Sequence, residues 1–121
     1  MPVYTYTTID VPFASGSSHA FGINDFGQIV GEYGGAGGSH GYLYSGGTYV
    51  TLDDPLATVG TTAYDINNLG QIVGSYFNNT GTHGFLLTGG TYTTLDVVGA
   101  IGTHLERFPA ELNRGFPIVC E

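Results

Sequence analysis

Acidic and amide side chains recur at fixed intervals in this 121-residue chain, and they are oxygen donors of the kind that hold Ca²⁺. Asp10, Asp53 and Asp96 follow one another at steps of 43 residues, with Asp54 beside the middle one. Asn24 and Asn67 keep the same step, with Asp25 next to the first and Asp65 two before the second. Any stacking of these segments brings one carboxylate or amide to equivalent loop ends, where Ca²⁺ takes hard oxygen ligands. The competing reading is local, because Asp and Asn side chains also accept hydrogen bonds from turn amides. No Asp-rich calcium-loop consensus is present, so both readings stay open.

His40 and His83 are a second copied pair, each followed by Gly and an aromatic residue. Copying points first to a structural hydrogen bond that serves each unit's packing; a ligand or acid–base role is the alternative, and they are the only candidates for catalysis. No nucleophile-elbow pattern accompanies Ser17, Ser18, His19 and Asp10, which argues against a Ser/His/Asp hydrolase built from them. Among nine tyrosines, Tyr42, Tyr49 and Tyr92 are candidate stacking faces for a sugar, with core packing the other use of an aromatic strand residue. Cys120 is alone, which excludes an intrachain disulfide.

The elements that must position these groups come from one repeat. Residues 20–53 recur as 63–96 without insertion, with 20 of 34 positions identical. A period of about 40–45 residues with several short strands per unit is the pattern of propeller blades. Each unit reads as four antiparallel strands. In unit one these are 20–24, 28–33, 40–45 and 48–53, with a turn at 24–27, a Gly-rich loop at 34–38 and a Gly46-Gly47 hairpin. Unit two predicts 63–67, 71–76, 83–88 and 91–96, with a loop at 77–82.

The expected organisation is a single all-β repeat domain over residues 1–121: a leading strand at 3–10, unit one at 19–53, unit two at 62–96 and a degenerate third unit at 97–121. The leading segment matches the last strand of a unit, since Thr8-Ile9-Asp10 is in register with Thr51-Leu52-Asp53. Two and a half units cannot close a propeller of 4–8 blades. A homodimer or higher symmetric oligomer is therefore expected to complete the ring. The alternative is a β-trefoil-like monomer, which the eroded third unit weakens.

His19-Ala20-Phe21 followed by Gly22-Ile23-Asn24-Asp25-Phe26-Gly27-Gln28-Ile29-Val30-Gly31 resembles the repeat of the HAF-type extracellular repeat proteins. In unit two Thr62-Ala63-Tyr64 replaces the tripeptide while the Ile-Asn and Gly-Gln-Ile-Val-Gly core survives. The resemblance spans roughly residues 3–104. It implies a β-propeller-like fold and an extracellular or periplasmic setting, and it brings no catalytic residues to transfer. The N-terminus carries no signal-peptide pattern.

Charge narrows the partners. The formal net charge is −8 with only two basic residues, both arginine. Nucleic-acid binding depends on Lys and Arg at phosphates and is not expected. No apolar run reaches the roughly 18 residues of a membrane-spanning helix, and membrane insertion is not expected either. Two functions remain: a module that binds a glycan or small ligand at repeated loop sites, with Ca²⁺ as a possible cofactor, and a small Ca²⁺-dependent hydrolase acting on a lactone or ester. The second leans on fold-level analogy with six-bladed lactonases, whose channel holds a catalytic Ca²⁺.

Overall fold

The computed structural model describes residues 4–96, and every helix-or-strand element among them is a strand. Eight strands follow in order: β1 (Ser18–Ile23), β2 (Ile29–Gly35), β3 (Gly38–Ser45), β4 (Thr48–Leu52), β5 (Gly60–Ile66), β6 (Ile72–Asn78), β7 (Gly81–Thr88) and β8 (Thr91–Leu95). They pair as two antiparallel meanders, β1 to β4 and β5 to β8. One parallel pair, Ser39 with Gly60, links β3 to β5 and makes a single open eight-stranded sheet. The third unit at 97–121 and Cys120 lie outside the described residues, as does any trefoil-like closure that would use them.

Local chemistry sets the hairpins. Gly46-Gly47 and Gly89-Gly90 all have positive φ, between 57° and 87°, as a two-residue turn of type I′ requires. Gly27 and Gly70 donate to the carbonyls of Asn24 and Asn67, closing the expected four-residue turns. The expected loops at 34–38 and 77–82 are shorter than the sequence suggests. Gly35 pairs with Gly38 and Asn78 with Gly81, so β2–β3 and β6–β7 are two-residue hairpins. Glycines in the first copy hide the strand pattern there. Each first strand also bulges, between Ala20 and Gly22 and again between Ala63 and Asp65. Opposite these bulges a Cβ on Gly31 would meet the carbonyl of His19, and one on Gly74 the carbonyl of Thr62.

Side chains alternate between two covered faces. On the forward face of unit one, Val30, Leu43 and Leu52 pack against Ala63, Ile66, Ile72, Tyr76, Phe85 and Leu87 of unit two. Each such buried side chain contributes about 1.5–3 kcal/mol, against about 1 kcal/mol for a hydrogen bond. Packing, rather than the lone Ser39–Gly60 pair, therefore joins the units.

The opposite face of unit one, with Tyr33 and Tyr42 buried, is covered by Ile9, Val11 and Ala14. These residues stand 43 positions before Leu52, Asp54 and Ala57, and the two connectors share their bonds. Ala14 donates to the Val11 carbonyl (3.1 Å) and Ala57 to that of Asp54 (2.9 Å). The Val11 amide donates to Ser18 Oγ (3.3 Å) and that of Asp54 to Thr61 Oγ1 (3.1 Å). The structural repeat thus reaches back to residue 9, before the first strand of each unit. No strand is assigned to residues 4–10, where a leading strand was expected; the third strand of a preceding unit, its natural partner, is not among the described residues.

Candidate functional site

The copied histidines and aspartates meet in the same way in both units. β3 carries His40 beside the end of β4, and Asp53 follows that end, so His40 Nδ1 lies 2.9 Å from Asp53 Oδ2. β7 and the end of β8 place His83 Nδ1 2.9 Å from Asp96 Oδ2. Each imidazole stacks on a tyrosine of the preceding strand: His40 on Tyr33 with centroids 5.2 Å apart, His83 on Tyr76 at 5.0 Å. The tyrosine hydroxyls bond Thr51 (2.8 Å) and Thr94 (2.9 Å), completing a four-residue clamp that recurs every 43 residues.

The second ring nitrogen is also engaged. His40 Nε2 is 2.8 Å from the Ala36 carbonyl, which only accepts. With a carboxylate at Nδ1 and a carbonyl at Nε2, both bonds form only when both nitrogens carry hydrogen. The Ala36 carbonyl does most to hold the His40 pKa above its usual value; partial burial works against this, and the Asp53 carboxylate adds to the rise. His83 Nε2 instead faces Thr80 Oγ1 (2.7 Å) and Asn78 Oδ1 (3.2 Å), and the hydroxyl can donate as well as accept. In these clamps neither histidine offers a free nitrogen to a metal or to a substrate proton.

The oxygen-donor candidates are dispersed rather than gathered. Asn24 Oδ1 accepts from Phe26 (3.1 Å) and Gln28 (3.0 Å) amides, and its Nδ2 donates to Gln28 Oε1 and to the Asn67 carbonyl. Asn67 repeats this with Leu69, Gln71 and the Gln71 side chain. Asp25 exchanges bonds with Asn68 across the units, its amide donating to Oδ1 and its Oδ2 accepting from Nδ2. Asp65 Oδ1 accepts from the Ile66 amide. Asp53 and Asp96 sit in the clamps, and Asp10 is exposed on the first connector. Among the described residues no three His, Cys, Asp or Glu side chains come together as a metal set.

Asp54 stands apart from the others. It is 2% exposed; Oδ1 accepts from the Leu56 amide at 2.9 Å, while Oδ2 has no protein partner. Burial pushes its pKa up, and the Leu56 amide and then His83 pull against that rise. Nearby Tyr92 is pushed up to about 12, by burial first and then by Asp54 and Asp53.

The three tyrosines proposed as sugar platforms are largely core residues. Tyr42 is fully buried with an unpartnered hydroxyl, so it has no open face for a sugar; sheets covered on both sides bury rings that a one-sided sheet would expose. Tyr49 packs on Tyr42 and Tyr44, and Tyr92 on Phe85, each half-buried.

Beside the first clamp lies a cleft of about 120 Å³ between the units. Ser39, His40 and Asp53 line one side, and Thr58 of the second connector with Gly60 and Thr61 at the start of β5 the other. A water occupies about 30 Å³ of liquid and drug-sized ligands need about 300 Å³ or more. The cleft therefore has room for a hydroxymethyl group or one edge of a sugar ring. Ser39, Thr58 and Thr61 were not singled out from sequence; Thr58 comes from the connector before β5 and Thr61 from the start of β5, ahead of the expected strand at 63–67. No protein-family model, curated protein or solved structure matches the chain.

Proposed function

We propose that this protein is a non-catalytic β-repeat module that takes hydroxyl-rich ligands, glycans in particular, at small clefts between successive units. The observation that carries this reading is the cleft lined by Ser39, His40, Asp53, Thr58 and Thr61 together with Ala57 and Val59, whose volume fits a sugar edge. Binding by so small a cleft is weak, and repetition supplies strength, because linked equivalent sites bind a repetitive ligand with gain by effective concentration. In this reading the four-stranded units are propeller-like blades, the leading segment at 3–10 adds as the outermost strand of a blade, and copies of the chain complete a ring. The setting is extracellular or periplasmic, as the HAF-type resemblance implies.

Calcium is not required by this reading, and the doubly engaged histidines favour it over hydrolysis, which needs a free base or a metal-activated water. The test is binding of an oligosaccharide panel, with Thr58→Leu as the variant that fills the cleft from an exposed position. Loss of binding in a folded Thr58→Leu supports the reading. Silence across the panel, or chelator-sensitive turnover of a lactone or ester, would replace it with a structural role or with the Ca²⁺-dependent hydrolase.

A further inference from the structure

The two clamps differ in what faces Nε2. At His83 that atom meets the Thr80 hydroxyl (2.7 Å). When this ring is neutral the hydroxyl turns from Asn78 Oδ1 and donates to Nε2, and Asn78 Oδ1 keeps the Thr80 amide (2.9 Å). Both bonds of the second clamp therefore survive loss of a proton. At His40 the same nitrogen meets the Ala36 carbonyl (2.8 Å), which has no hydrogen to give. A neutral His40 has one N–H for two acceptors. The Asp53 carboxylate, 2.9 and 3.0 Å from Nδ1, takes it, because a bond to a charged acceptor is the stronger. The Nε2 lone pair then points at the Ala36 oxygen, and a bond becomes a repulsion.

Ala36 and Gly37 form the β2–β3 turn, and Gly37 lines the cleft together with His40 and Asp53. Gly37 has open space where a Cβ would stand, whereas one on Gly38 would meet the Val59 carbonyl, so freedom to move is confined to the turn's tip. The opposite wall is held, since the amides of Thr58 and Val59 both donate to the Phe77 carbonyl at 3.0 Å. We infer that the Ala36–Gly37 turn is a proton-controlled rim of this cleft, seated on His40 while both ring nitrogens carry hydrogen and released, with loss of the cleft's shape, when one hydrogen leaves. Asp53 at the end of β4 and Tyr33 of β2, on which the ring stacks, are the titratable groups against His40. Glu32 of β2 is engaged by Thr62 (2.7 Å), and residues 57–61 across the cleft include no ionisable side chain. The Ala36 carbonyl first, and Asp53 after it, hold folded His40 above 6.5 against partial burial. The rim is therefore seated at and below that value and released as pH rises through the raised one. A ligand that fits the seated form draws the proton on by linkage. This last effect rests on the cleft reading above; the movement of the turn does not.

The test is ¹⁵N NMR of the whole chain without ligand, from about pH 5 to 8.5, following the ring nitrogens of both histidines and the backbone order parameters of residues 36–37 and 79–80. His40 is expected to carry hydrogen on both nitrogens at the acid end. As its ring titrates, order parameters at Ala36 and Gly37 should fall from about 0.85 toward 0.6, a loss of rigidity that a mere change of nearby charge does not produce. Residues 79–80 should stay as they are. Asp53→Asn should move the midpoints of ring and turn to lower pH together, and His40→Gln should leave the turn insensitive to pH; where either variant fails to fold, the wild-type titration alone decides. A turn that stays rigid through the His40 titration would overturn the inference, as would equal loosening at 79–80, loosening that persists in His40→Gln, or a His40 ring with one hydrogen at pH 5. Neutral trisaccharides of glucose and of N-acetylglucosamine, titrated on both sides of the midpoint, should bind about ten-fold more weakly above it, as loss of about one hydrogen bond's worth of shape implies. Equal affinity on both sides would overturn the rim's hold on the cleft. A turn that responds in a protein that binds neither sugar would sink the cleft reading and leave the rim standing.

Discussion

Replacement of Asp54 by valine, the residue that its own repeat carries at Val11, is expected to stabilise the protein near neutral pH. Asp54 Oδ2 is buried without a protein partner, and relief of such a group is worth about 1–3 kcal/mol. The loss is the Oδ1 bond to the Leu56 amide, about 1 kcal/mol, and Leu56 is 58% exposed. The first connector folds with the same backbone bonds around Val11, so valine fits the turn. The net gain is about 1–2 kcal/mol, and each kcal/mol raises Tm by roughly 4–8 °C in a domain of this size. The sign with pH is fixed by the raised carboxyl. Its burden is absent below the ordinary value of 3.8, where folded and unfolded forms are both protonated, and grows as pH rises toward the folded pKa. Thermal melts of both proteins from pH 3 to 8 should therefore show an advantage for Asp54→Val that shrinks toward acid. A destabilised variant at pH 7, or a difference constant across that range, would refute the reasoning.

Three further outcomes are expected. The His40 clamp contributes stability that is complete below the unfolded value of 6.5 and is lost as pH rises through the raised folded value; wild-type denaturation midpoints should fall over that window, and His40→Gln should flatten the fall. Gly31→Ala and Gly74→Ala force a Cβ onto the carbonyls of His19 and Thr62, so each should cost more than about 3 kcal/mol in urea melts, whereas Gly16→Ala, with open space around it, should change little. Calcium titrated back after EDTA should give no saturable rise in Tm, because Asn24, Asn67, Asp53 and Asp96 are already held by protein donors.

The repeat made most of the fold legible. Two aligned copies placed all eight strands within a few residues, since strand residues and turn residues agreed at each step of 43. The 34–38 stretch misled because five consecutive positions of glycine and alanine carry no strand pattern, although Gly35 and Gly38 pair across a tight turn. The clamp had a readable signal that went unused: His and Asp stand 13 residues apart in both copies, His40 with Asp53 and His83 with Asp96. The carboxylates were instead grouped by type as possible Ca²⁺ ligands, a grouping that needs three-dimensional proximity which spacing alone does not supply. Tyr42 was beyond sequence reasoning for a different cause. Period-2 alternation separates two faces, and when both are covered it does not tell which ring is sealed. The cleft needed the connector at 54–60, whose fold follows from Asp54 and Thr61 meeting across it.

The most direct measurement is a ¹H–¹⁵N titration of the folded protein with oligosaccharides, followed residue by residue. The account predicts saturable shifts, at roughly millimolar ligand, confined to Ser39, His40, Thr58 and Thr61 and abolished by Thr58→Leu. A folded protein whose spectrum stays unchanged across the panel, or whose shifts lie away from that cleft and survive Thr58→Leu, would contradict it.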